Sequence, residues 1–171
     1  MVNYTEYVET MAKDGLNKVF FNSGPNHAAV VMSRIFKYSR ETIRIYCGGF
    51  DGTVSNDEEY LLYLEQFLEN GGLLRILVEQ DMSKGPSEVY KILKKHKDQV
   101  VISQSSIKVI NAVTNKPIHF TIGDNKMLRI ELGITDYTAQ VNFGDTEEAS
   151  HMTEIFEKVL AQSRHLELAS T

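Results

Sequence analysis

An α/β fold, built on a mixed and mainly parallel sheet with helices on both faces, is predicted by three features of the sequence. From Lys18 to Ile102, short apolar runs alternate with helical segments, the pattern of successive strand–helix units. Leu73 to Val78 is apolar except for Arg75, as expected of a strand covered on both sides. The remainder adds strands that double back around Gly123-Asp124-Asn125, then one closing helix. At 171 residues the length suits one domain over 1–171, large enough to bury a core without disulfides or metal.

In chain order, Tyr4, Tyr7, Val8 and Met11 at helical spacing predict a helix over about 3–14, with Gly15 as its stop. Lys18-Val19-Phe20-Phe21 reads as a strand, Asn22 to His27 as a loop, and Ala28, Val31, Met32, Ile35 and Phe36 as the apolar face of a helix capped by Ser23 or Asn26. Such a strand–loop–helix junction can turn backbone N–H groups toward an anion, which makes Ser23 and His27 candidate ligand-binding residues. Ile43 to Cys47 is a second strand; after the Phe50 to Val54 loop, Ser55 and Glu58 form a capping-box pattern ahead of Tyr60, Leu61, Leu64, Phe67 and Leu68. Pro86-Ser87 precede a short helix whose Lys91, Lys94, Lys95 and Lys97 read as a solvated face, with a phosphate-rich partner as the alternative. Val100 to Ile102 and Ile107 to Ile110 read as strands. Asp145 and Glu148 cap the last helix, and 166–171 reads as a loose tail.

The stretch from Pro117 to Phe143 carries the chemistry. Ile118, Phe120 and Ile122 alternate with His119 and Thr121; beyond the turn, Leu128, Ile130 and Leu132 alternate with Met127, Arg129 and Glu131. A loop of Gly123 to Asn125 puts His119 opposite Arg129 and gathers His119, Thr121, Arg129 and Glu131 on one surface. A loop of Asp124-Asn125 alone turns the partner of His119 into Ile130 and mixes polar with apolar on both faces, so the first register is favoured.

Composition sets the bounds. Hydrophobic residues make up 42% and charged residues 24%, ordinary for a globular protein, and no apolar run reaches a membrane span. The N-terminus lacks a secretion signal's basic start and apolar core, so cytoplasm is expected. Cys47, the single cysteine, excludes an internal disulfide and reads as a packed thiol that continues the alternation of Ile43 and Ile45 along a strand. A net charge of −5 disfavours extended nucleic acid as a partner but leaves room for a small phosphate ester. No cofactor is called for, and His96, His151 and His165 have no ligand spacing that suggests metal.

The order of strand–helix units, polar hairpin and last helix is similar to one half of the phospholipase D-like superfamily, over roughly residues 17–164. Ile118 to Asp124 resembles the strand that carries that family's His-x-Lys, four residues, Asp signature. Val141-Asn142-Phe143-Gly144-Asp145 resembles its Asn-containing segment. The signature is incomplete. With Asp124 on the family's Asp, the His position is Pro117 and the Lys position His119; with His119 on the His, those of Lys and Asp are Thr121 and Lys126.

The resemblance implies a His nucleophile on phosphorus, a second His as acid, and lysines on the phosphoryl oxygens. It also implies a homodimer that brings two copies of the hairpin together at a two-fold axis. Two functions are expected on this basis. One is a degenerate, non-catalytic module that binds a ligand or partner in a sensor or regulatory role. The other is a metal-independent phosphodiesterase or nuclease with His119 as nucleophile, Arg129 in place of lysine, Glu131 orienting the imidazole and Asn142 donating a hydrogen bond, with Thr121 and Asp124 beside them.

Overall fold

The computed structural model describes residues 1–50, 52–81 and 87–168; Asp51, Pro86 and the end of the tail, named in the sequence reading, lie outside them. Helices α1 (Tyr4–Asp14), α2 (Pro25–Tyr38), α3 (Glu58–Glu69), α4 (Glu88–Lys95) and α5 (Thr146–Ala161) accompany strands β1 (Phe20–Asn22), β2 (Thr42–Cys47), β3 (Leu73–Val78), β4 (Val100–Gln104), β5 (His119–Gly123), β6 (Met127–Gly133), β7 (Thr138–Asn142) and β8 (Arg164–Leu166). The strands form one sheet in the order β1-β7-β6-β5-β2-β3-β4-β8. Only β2–β3 and β3–β4 pair in parallel, and the other five neighbouring pairs are antiparallel. The α/β class and the two covered faces hold. The mainly parallel sheet does not, because only β2, β3 and β4, linked by crossover helices, run parallel to one another, while β1 and the strands after β4 pair antiparallel with their neighbours.

One face packs on α1 to α4 through Ile43, Ile45, Leu74, Ile76, Met127 and Val141, with Ile35, Phe36, Leu64 and Leu68 of the helices. The other packs on α5 through Tyr46, Leu77, Ile118, Phe120, Ile122 and Leu128 against Ala149, Met152 and Phe156. Burying aliphatic and aromatic side chains of this kind stabilises by about 1.5–3 kcal/mol each.

Local structure departs from expectation where side chains find better partners than their spacing suggested. Asp57, not Ser55, caps α3 by accepting from Tyr60 N–H, while Ser55 accepts from Gly52 N–H. Neither Ser23 nor Asn26 caps α2; its N-cap is Gly24, and Pro25 opens it at a position where the N–H that proline lacks would have no partner within the helix. Ile107 to Ile110 is an irregular arm rather than a strand, joined back by one bridge from Ile110 to Pro117. The tail is tied down from Arg164 to Leu166 because β4 offers a free edge. Among the described residues, no helix is long and apolar enough to cross a membrane.

Candidate functional site

The hairpin's register differs from the favoured one by two residues. Gly123 pairs with Met127, so the loop is Asp124-Asn125-Lys126, His119 faces Glu131 and Thr121 faces Arg129. Asp124 and Asn125 take the left-handed conformation at φ 51° and 54°, which lets the turn close one residue later than its glycine suggests. A shift of two keeps every side chain on its face. His119, Thr121, Arg129 and Glu131 therefore do share a surface. The His119–Arg129 cross-strand pair is absent.

That surface is not a free hairpin face. β5 lies between β2 and β6, and the pairing of Thr121 with Ile45 turns the polar groups toward the same side as the helical core. There they border a cavity of about 260 Å³, whose other walls include Ala28 and Met32 of α2, Tyr60 of α3, the Cys47 to Phe50 turn, and Ile134 and Tyr137 of the β6–β7 turn. Cys47, read as packed, is half-buried in this wall.

His119 is held by two carboxylates. Its Nε2 is 3.1 Å from Glu79 Oε1 and its Nδ1 is 3.7 Å from Glu131 Oε1. Burial opposes a charged imidazole here, but Glu131 and Glu79 outweigh it and raise the His119 pKa above its ordinary value. Burial likewise opposes ionised Glu131, yet His119 and Arg129 hold its pKa below the usual carboxylate value. Arg129 donates from Nη1 to Glu131 at 2.8 Å, from Nε to Asn22 Oδ1 at 3.1 Å and from Nη2 to the Tyr137 carbonyl at 3.4 Å. Asn22 donates to the same carbonyl, and Tyr137 sits at φ 58°, a conformation that bulky residues rarely take. Tyr46 donates to the Ile107 carbonyl at 2.8 Å and lies 3.4 Å from Glu79; burial first, then Glu79, push its pKa up to about 12.

The other residues singled out in the sequence lie elsewhere. Asp124 clamps the start of β2, accepting from the N–H groups of Arg40, Glu41 and Thr42 at 2.7, 2.8 and 3.1 Å. Asn142 donates to Asn17 and accepts from Gly144 N–H, pinning the α1–β1 link at a point where a Cβ on Gly144 would run into the Gly15 carbonyl. His27 stacks on Tyr4 at 3.6 Å between ring centroids, and Ser23 is exposed; neither lines the cavity.

Glu79, Asn22 and Tyr137 were missed. Glu79 had a signal, since it follows β3 directly and ligand sites in α/β sheets gather beyond the carboxyl ends of parallel strands. The ladder continues there, with Glu79 N–H bonding the Cys47 carbonyl at 3.1 Å, which holds the carboxylate over His119.

No protein-family model and no curated protein matches the sequence significantly. Solved structures do match. TrmBL2, an archaeal chromatin protein whose structure shows a mode of DNA binding, superposes with a TM-score of 0.65 at 14% identity over 94% of this chain. Nuc of Salmonella typhimurium, a phospholipase D family member, gives 0.62 at 14% identity, covering 87% of this chain and 97% of its own. The chain has the phospholipase D-like fold. NucT of Helicobacter pylori also matches, at 0.62 and 14% identity over 87% of this chain and 99% of that one. At these identities the likeness is one of fold, and the chain spans 60% of the length of TrmBL2.

The positions compared with the expected His-Lys-Asp set fall at separate places on this fold. Aligned through Asp124, its His position is Pro117, at the root of the arm, and the imidazole of His119 stands where a lysine is expected. Aligned through His119, the lysine's place is Thr121, opposite Arg129. Among the described residues, no lysine lines the cavity.

Proposed function

We propose that the chain is a degenerate, non-catalytic module of phospholipase D-like fold, a cytoplasmic homodimer that binds a small ligand in its cavity and serves a regulatory or sensory role. The single observation that carries this is the pairing of charges around His119. Glu79 and Glu131 present carboxylates to both ring nitrogens, and the one guanidinium nearby already serves Glu131, Asn22 and Tyr137. A phosphodiester approaching this ring meets two negative groups and, among the described residues lining the cavity, finds no uncommitted cation to take up the charge that develops on phosphorus. The buried, paired titratable groups support reading the cavity as a binding site.

One observation favours the second reading, a metal-independent phosphodiesterase or nuclease. Glu131 lies on the Nδ1 side of His119, where a carboxylate orients an imidazole whose other nitrogen attacks. Hydrolysis of bis(4-nitrophenyl) phosphate, with and without chelator, separates the two in wild type and His119→Ala at matched oligomeric state. The binding module gives no turnover above background in either protein. Turnover that survives the chelator and vanishes in His119→Ala establishes the enzyme. A monomer by light scattering removes the homodimer from either reading.

A further inference from the structure

The seam between α3 and α4 carries a second cluster, remote in role from the cavity. Glu65 and Glu69 are one helical turn apart on α3 and so share a face. His96 caps the C-terminus of α4 against it. One donor atom from each of the three lies within 4.8 Å of the others. One further observation sets this cluster apart from an ordinary solvated helix face. Among the described residues, His96 Nε2 is buried with no hydrogen-bond partner, a state that costs about 1–3 kcal/mol. Glu65 Oε1 also lies 2.5 Å from the ammonium of Lys95, whose side chain is 62% exposed, so a metal ion at this place competes with that ammonium.

We propose that Glu65, Glu69 and His96 form a divalent-metal site, with Zn²⁺ the ion of best fit. One imidazole nitrogen and two carboxylate oxygens, closed by water, make a four-coordinate set that zinc accepts at about 2.0–2.2 Å. Magnesium, which favours six oxygen ligands, is a poor match. The ion replaces the Lys95 ammonium, neutralises both carboxylates and ties the end of α4 to α3. This site was invisible in the sequence because its ligands lie on two elements; the Glu65–Glu69 spacing alone is common on solvated helices. It is independent of what the cavity binds.

Calorimetric titration of metal-free protein with ZnCl₂ tests it. One Zn²⁺ per chain is expected, not displaced by excess Mg²⁺. His96→Ala and Glu69→Gln weaken binding by about tenfold or more. Lys95→Ala, which removes the competing ammonium from an exposed position, strengthens it. Opposite effects from two neighbouring residues are not produced by a fold defect. The proposal fails if wild type shows no saturable binding, if His96→Ala binds as wild type does, or if binding is lost instead in His119→Ala.

Discussion

Arg34 and Arg129 are equally buried, each 5% exposed, and each meets carboxylates, yet they do different work. Arg34 on α2 donates to Glu9 of α1 at 2.7 Å, to Ser33 at 2.8 Å and to Glu59 of α3, so it joins three helices. Glu9 also accepts from Lys37 and Tyr38; against the opposing effect of burial, these partners lower its pKa to about 2. That cluster is a surface-edged staple. Arg129 instead has one carboxylate, an amide and a carbonyl on its protein side and open volume on the other. The difference teaches that burial and charge pairing alone do not mark a site; a site also leaves room for a ligand beside the paired groups.

The largest contrast is expected on removing each guanidinium. Arg129→Met strands the Glu131 carboxylate, whose side chain is 10% exposed, and is expected to cost about 3–5 kcal/mol in urea denaturation. The double variant Arg129→Met/Glu131→Gln recovers most of that loss. A cost for Arg129→Met below that of Arg34→Met would reverse the comparison.

Arg34→Met is expected to cost less, about 1–3 kcal/mol, because the Glu9 and Glu59 side chains are 28% and 49% exposed and reach water when released. Asp124→Ala follows at about 1 kcal/mol, from three backbone N–H groups that then turn to solvent. Asp124→Asn keeps part of the clamp and loses less. Were Asp124→Ala to change ligand binding while stability held, the assignment of Asp124 to the scaffold would be wrong.

What the sequence made legible follows its periodicities. Alternation along Ile118 to Glu131 identified which four polar residues share a face, since any even shift preserves that set. It could not identify their partners. The turn closed on Asp124 to Lys126 through two left-handed non-glycine residues, and the direct opposite of His119 moved from Arg129 to Glu131. Nor could it show that the polar face looks into a cavity under α2 rather than at solvent, which depends on β2 pairing with β5. Asp124 and Asn142 looked like site residues because carboxylate and amide groups serve turns and active sites alike. Glu79 and Asn22 reach the site across 40 and 107 residues of sequence, beyond any local pattern.

The smallest effect expected is the pH dependence of stability that the cavity cluster contributes. His119 binds its proton more tightly folded than unfolded, because Glu131 and Glu79 outweigh its burial. Its contribution is therefore complete below the unfolded value of about 6.5 and is lost as pH rises through the higher folded value. Glu131 has the opposite sign. Its depressed folded pKa contributes stability above the unfolded value of about 4.3, lost as pH falls through the folded value. Urea midpoints measured from pH 4 upward in steps of about half a unit should fall on the alkaline side of about 6.5 in wild type, and this fall should be absent in His119→Gln. The same slope in both proteins would detach His119 from the two carboxylates and remove the charge pairing on which the non-catalytic reading rests.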